Sequence, residues 1–188
     1  MQLIALCGQK GTGKDTVAEV ICNTLQDICT VRKVSFGSQV KNVFNALFDL
    51  RSPREHNVVT HGYITLPDGR MRSGKEVMRI LNMQMREKSP QQFIEKLEDE
   101  ILAFKGYHPD LYENAVFIIT DLRYREELKW CKAKNIPIIK VKRDSGVCDP
   151  HTEELDIDDF LCDYFIDNNG TEQELKREVE SLLIKVFK

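Results

Sequence analysis

Long apolar runs are missing from this chain. No stretch approaches the roughly 20 consecutive apolar residues that a membrane span needs. The short apolar stretch at residues 3–7 (LIALC) has no basic flank and runs straight into a glycine-rich loop, so a secretory leader is not expected either. A basic excess is missing too: 27 Lys and Arg face 30 Asp and Glu, for a formal net charge of −3. A protein that coats a nucleic-acid polymer carries the opposite balance, so no polymer partner is expected, although a local basic patch still suits a small phosphorylated ligand. Six cysteines are present (Cys7, Cys22, Cys29, Cys131, Cys148, Cys162), but none forms a Cys-x-x-Cys pair, and the four histidines lack metal-ligand spacing. Zinc and thioredoxin-type sites are therefore not expected, and the cysteines read as reduced thiols of a cytoplasmic protein. With only 6 prolines and 10 glycines, collagen-like and low-complexity classes are excluded.

What is present is an ordinary globular mixture, 41% hydrophobic and 30% charged over 188 residues. That is one domain by size, large enough to bury a core without disulfide or metal staples. Residues 3–7 have the continuous apolar pattern of a strand buried on both faces. Val17, Val20, Ile21 and Leu25 then follow helical spacing. A second strand is expected over 31–36, followed by a helix with Val40, Val43, Phe44, Leu47 and Phe48 on one face. Residues 63–66 and 70–72 flank Pro67-Asp68-Gly69 as a hairpin. Helices are expected over 74–87 and 90–104, with Pro90 in the first turn of the second. Residues 115–120 (AVFIIT) read as a strand, 125–134 as a helix, 137–141 as a strand and 165–166 as a last short strand. Thr171 and Glu174 fit a capping box opening a terminal helix. Strands alternating with helices predict an α/β fold, a mostly parallel sheet with helices on both faces. Residues 51–72 are polar and weakly patterned.

The loop between the first strand and first helix reads GQKGTGKDT at residues 8–16, matching G-x-x-x-x-G-K in the context that gives the motif meaning. Gly8, Gly11 and Gly13 let the backbone wrap so that N–H groups face phosphate oxygens, and the helix that follows offers the positive end of its dipole. Lys14 supplies a mobile positive charge. Asp15 stands where Ser or Thr usually offers a hydroxyl to Mg²⁺, with Thr16 one place later.

Asp121 follows the strand at 115–120, so it is expected at the carboxyl end of a central strand, where open α/β sheets bind ligands. It can hold a metal or orient an acceptor there, or merely cap the helix near Arg125. Arg123 is placed to reach phosphate from the same edge. Arg72, Lys75, Arg79 and Arg86 fall on one face at about 3.6 residues per turn, a stripe suited to a phosphate monoester or simply to solvent. Residues 142–155, including Arg143, His151 and Glu153, form a polar stretch expected to act as a lid that excludes water from a transfer reaction.

At this point the chain resembles the phage-type deoxynucleoside monophosphate kinases. The loop ending in Gly13-Lys14-Asp15-Thr16 is similar to theirs, as are Asp121-Leu122-Arg123 with the downstream Glu127, the run His151-Thr152-Glu153-Glu154, and Ile166-Asp167-Asn168-Asn169-Gly170-Thr171. The resemblance implies a three-layer P-loop nucleoside monophosphate kinase fold with Mg-ATP as donor, and an acceptor-binding insertion over about 38–105. It implies that Gly8, Lys10, Gly11, Thr12, Gly13, Lys14, Asp15 and Thr16 bind the donor, with Asn168 near its adenine. Asp15 and Asp121 would organise metal and acceptor, and Arg123 and Arg143 would stabilise the transferring group. Lys41, Arg72, Lys75, Arg79, Arg86 and Glu127 would serve the acceptor. The acceptor helix departs from the family: residues 79–85 read RILNMQM where Gln-x-x-Gly-Thr is frequent, and Phe93 replaces a common Trp. An intracellular enzyme is implied, with a viral gene acting in a host cell and a homodimer both left open. Two alternatives stand beside it. One is another P-loop small-molecule kinase, of phosphomevalonate or dephospho-coenzyme A type. The other is a nucleotide-binding regulatory protein.

Overall fold

Four of the six residues of the first strand are shielded from solvent, so it belongs at the middle of a sheet. The computed structural model, which describes residues 1–144 and 157–187, places it there. The chain forms two compact units, one of Met1–Phe36 with Leu97–Lys188 and one of Gly37–Lys96. In chain order the elements are β1 (Gln2–Cys7), α1 (Lys14–Leu25), β2 (Thr30–Val34), α2 (Ser38–Leu47), α3 (Pro53–His61), β3 (Tyr63–Thr65), β4 (Met71–Ser73) and α4 (Gly74–Lys88). They continue with α5 (Gln91–Tyr107), α6 (Pro109–Tyr112), β5 (Ala115–Ile119), α7 (Arg125–Ala133), β6 (Ile138–Lys142), β7 (Tyr164–Asp167) and α8 (Glu172–Val186).

The larger unit is an α/β fold built on one parallel sheet. Its five strands lie in the order β2-β5-β1-β6-β7, and every neighbouring pair is parallel. The period-two alternation of a strand decides which helices cover which face. Ile4 and Leu6 of β1, with Val116, Ile118, Ile139, Val141 and Ile166, meet Val17, Ala18 and Ile21 of α1 and Leu175, Val179, Leu182 and Leu183 of α8. Burying each Val, Leu or Ile side chain is worth about 1.5–3 kcal/mol, so this face contributes substantially to stability. The opposite face carries Phe117, whose ring meets Phe104 of α5 edge-on at 5.5 Å. α8 opens as its sequence predicts, with Thr171 and Glu174 in a reciprocal capping box.

The smaller unit holds α2, α3, the β3–β4 hairpin, α4 and the first turn and a half of α5. Here the sequence expectations need correcting. The apolar stripe on α2 is narrower than its spacing suggests: Val40 and Phe44 are buried, but Val43 and Leu47 are exposed. Residues 51–72 hold an unforeseen helix, α3, started by Pro53 and a Ser52–Glu55 capping box. Arg72 lies on β4, not on the helix, and pairs with Glu76. Pro90 precedes α5 instead of opening it. In the larger unit β2 stops at Val34, short of the expected 36, because the Phe36 N–H donates to a side chain of another loop, Asp121 Oδ1 at 2.8 Å.

Candidate active site

Strand order places the site. The connection leaving β1 runs through α1 to β2 at one edge, while that leaving β5 crosses to β6 on the far side of β1. Neighbouring connections that depart in opposite directions leave a crevice at the carboxyl ends of their strands, where such sheets bind ligands. Residues 8–13 close one side of that crevice, and residues 120–124 the other. Two backbone bonds fix the second loop: Thr120 N–H donates to Val34 O at 3.1 Å and Leu122 N–H to Leu6 O at 3.2 Å. Asp121 is thereby held beside the end of β1, next to the start of the glycine loop.

The loop itself is wound tightly. Gly8, Gly11 and Gly13 have φ of 137°, 84° and 88°, in the region only glycine occupies freely. A side chain at Gly8 would also collide with Val141 O, 2.4 Å from the position of its Cβ. Thr12 is buried and its hydroxyl donates to Gln9 O at 2.9 Å. Gly13 caps α1 without any side-chain hydrogen bond. Gly13 has no side chain to cap the first N–H groups of α1, the end of a helix that attracts anions. Lys14 is buried, and its ammonium donates to Gly8 O at 2.7 Å and Gln9 O at 2.8 Å. It thus sits inside the loop, where a bound phosphate would compete with those carbonyls for its charge.

Asp121 does not cap α7. Its Oδ1 accepts the Phe36 N–H, which ties the ends of β5 and β2. Glu127 is 1% exposed, and its Oε2 accepts the N–H groups of Arg123 at 2.9 Å and Tyr124 at 3.0 Å. Its carboxylate shapes the loop that carries Arg123, which is half-buried. Asp15 is exposed in the first turn of α1, as are Lys10 and Thr16 nearby. Asn168, at the end of β7, is buried and donates from Nδ2 to Thr12 O at 2.8 Å. Arg143 is exposed just beyond β6. The remainder of the expected lid, His151 and Glu153 included, lies outside the described residues.

In the smaller unit, Lys41, Lys75 and Arg79 are exposed. Arg79 contacts Met83 Sδ at 3.3 Å, one turn along α4. Arg86 donates from Nε to Asn82 Oδ1 at 3.1 Å, and its guanidinium lies over the Phe93 ring at 3.8 Å. Phe93 is fully buried, so it works as a platform for Arg86.

Among the described residues no three His, Cys, Asp or Glu side chains cluster as a metal cage. Mg²⁺ takes one or two carboxylates plus phosphate oxygens and keeps several waters. Asp15, Thr16 and Asp121 supply oxygen donors of that kind around the loop. The five cysteines described are free; Cys7 and Cys162 approach to 3.7 Å, and burial pushes the Cys7 thiol well above its ordinary value. No helix among the described residues is long and apolar enough to cross a membrane.

No family model and no curated protein matches the chain. Solved structures do. An APS kinase of Mycobacterium tuberculosis is similar at 13% identity and a TM-score of 0.46, over 97% of this chain and 96% of that one. A shikimate kinase from Aquifex aeolicus is similar at 16% identity and a TM-score of 0.42, over 99% and 96%. Chaetomium thermophilum Kti12 in complex with ADP-AlF3 is similar at 12% identity and a TM-score of 0.43, over 98% of both chains. These are distant likenesses.

Proposed function

We propose that the protein is a kinase that moves the γ-phosphoryl group of ATP to the phosphate of a (deoxy)nucleoside monophosphate. The observation that carries this reading is the wound, glycine-rich loop at the end of β1, with Lys14 folded inside it and Asp121 fixed beside it through the Leu122–Leu6 bond. Lys14 and the first N–H groups of α1 hold the donor phosphates. An acceptor phosphate oxygen forms a bond to the γ-phosphorus as the bond to the β–γ bridging oxygen breaks, releasing ADP and a nucleoside diphosphate. The chain's part is to position both phosphates and neutralise their charge. Bound Mg²⁺ would lessen the charge on the donor oxygens, with Asp121 and Asp15 as its protein ligands, directly or through water. Arg123 and Arg143 balance charge on the group in transit. Arg79 and Arg86 take the acceptor phosphate, Arg86 preset by Asn82 and Phe93.

A phosphotransfer panel with ATP tests the substrate class. Transfer to one or more nucleoside monophosphates is the expected result. Transfer only to a sugar-free phosphomonoester or to dephospho-coenzyme A would move the protein to another small-molecule kinase. Arg79→Ala and Arg86→Ala should each raise the acceptor KM about ten-fold, the worth of one charge-assisted hydrogen bond, and leave the ATP KM nearly unchanged. Small equal effects on both substrates would return the arginines to a solvated helix face.

Asp15 separates two roles. As a charge in the first turn it is worth about 0.3–1 kcal/mol to α1. As a charge serving metal or acceptor it belongs to the chemistry. Gly13, not Asp15, holds the cap position, so Asp15→Asn removes the charge and at most this small stabilisation. The expected result is a nearly unchanged melting temperature with turnover lower by roughly thirty-fold, about 2 kcal/mol in the barrier. Unchanged Mg²⁺-dependent turnover would leave that stabilisation as its sole role.

A further inference from the structure

We infer that Asn168 is a positioning residue of the phosphate loop and does not read the donor base. Its side chain reaches across 156 residues of sequence to donate to Thr12 O at 2.8 Å, in a buried setting. The bond has a directional consequence. A trans peptide is planar, so the carbonyl of Thr12 and the N–H of Gly13 point opposite ways. Holding Thr12 O toward Asn168 turns the Gly13 N–H away from it and keeps it there. Gly13 is the cap of α1, the end at which the helix presents its positive charge. Asn168 thus sets one donor of the anion cradle without touching the anion.

The fit is mutual. A Cβ at Gly13 would stand 2.2 Å from Asn168 Nδ2, so the close approach of the amide requires glycine at that place. The amide is also mounted rigidly. Asn168 N–H donates to Lys142 O at 2.8 Å, locking it to the end of β6. Asp167 N–H donates to Glu178 Oε1 at 3.0 Å, locking the same turn to α8. The Asn169 amide and side chain both donate to Asp167 Oδ1, at 3.0 and 2.7 Å. A side chain 8% exposed on a turn braced from both sides can hold a loop against the pull of Lys14 on the carbonyls of Gly8 and Gln9. The inference rests on the reading of residues 8–14 as the donor site.

The test compares Mg-ATP, Mg-GTP and inorganic tripolyphosphate, which has no base, by calorimetric titration of the wild-type protein, Asn168→Ala and the isosteric Asn168→Asp. All three ligands should weaken by the same factor, about ten-fold, the effect of losing one buried hydrogen bond, with the ATP-to-GTP ratio unchanged. The Gly13 amide resonance should shift in both variants. Unchanged tripolyphosphate binding with an altered ATP-to-GTP ratio would overturn the inference and make Asn168 a base reader. Unchanged binding of all three would leave it a packing residue. Should both variants unfold, the wild type still decides: the Asn168 side-chain amide protons should exchange slowly with and without tripolyphosphate, and fast exchange refutes the strut. Failure of the wild type to bind any of the three ligands is a separate result, which removes the donor site itself and this inference with it.

Discussion

Lys14→Ala is expected to lower turnover by about a thousand-fold or more, near 4 kcal/mol in the barrier, while the protein stays folded. The ammonium lies inside the loop, donating to two backbone carbonyls that border the anion position. In a site closed to water its charge meets the charge of the phosphates with little screening, so its loss is felt most when that charge is being redistributed. Lys14 is buried, which adds a stability cost that a solvent-facing lysine would not carry. Lys14→Met keeps the aliphatic stem and removes only the charge, so it should lose as much turnover as Lys14→Ala. Both should melt within about 4 °C of the wild type, the shift that roughly 1 kcal/mol gives in a chain of this size. Turnover and melting are measured on the same preparations. A Lys14→Met variant retaining near-normal turnover would remove the loop from the chemistry.

Asp121→Asn is expected to cost roughly three-hundred-fold in turnover, about 3.4 kcal/mol, and to leave the melting temperature almost unchanged. The substitution is selective because of what Asp121 holds. Its Oδ1 accepts the Phe36 N–H, and an asparagine oxygen accepts the same bond. The link between the ends of β5 and β2 therefore survives while the charge is lost. Asp121→Ala lacks the acceptor and should destabilise as well, by about 1–3 kcal/mol, because a Phe36 N–H would be left unpaired. If Asp121→Asn and Asp121→Ala lose the same small amount of activity, the residue is a strut between strands and the metal role falls to Asp15 and Thr16. Raising Mg²⁺ should partly restore Asp121→Asn if the lost charge served the metal.

The parts of this site that were legible in the sequence are the contiguous ones. Residues 8–16 stand out because their glycines and Lys14 lie in one uninterrupted loop, and β1 because a strand buried on both faces leaves an unbroken apolar run. Asp121 was placed correctly at a strand end by its position after the apolar residues 115–119. Its bond to Phe36 joins residues 85 apart, and the Asn168–Thr12 bond joins residues 156 apart. No local period encodes contacts of that span. The sequence places Asn168 near the adenine by resemblance alone, and gives no sign that its amide donates to Thr12 O. α3 escapes the sequence pattern for a different reason. None of its residues is buried, so it has no apolar stripe to detect, although the Ser52-Pro53-Arg54-Glu55 capping signature was there to be read. The buried stripe on α2 is narrower than its spacing suggests, because spacing alone cannot say which of Val40, Val43, Phe44 and Leu47 find a partner.

The most direct test of the central claim is the acceptor dependence of ATP turnover, followed by ³¹P NMR with Mg²⁺ present. The account predicts that ADP forms slowly in ATP alone and rises steeply when a nucleoside monophosphate is added. The new ADP should be matched one for one by a nucleoside diphosphate, with no inorganic phosphate. ADP and inorganic phosphate appearing together, at a rate no acceptor changes, would contradict it and identify a nucleotide-hydrolysing regulatory protein instead.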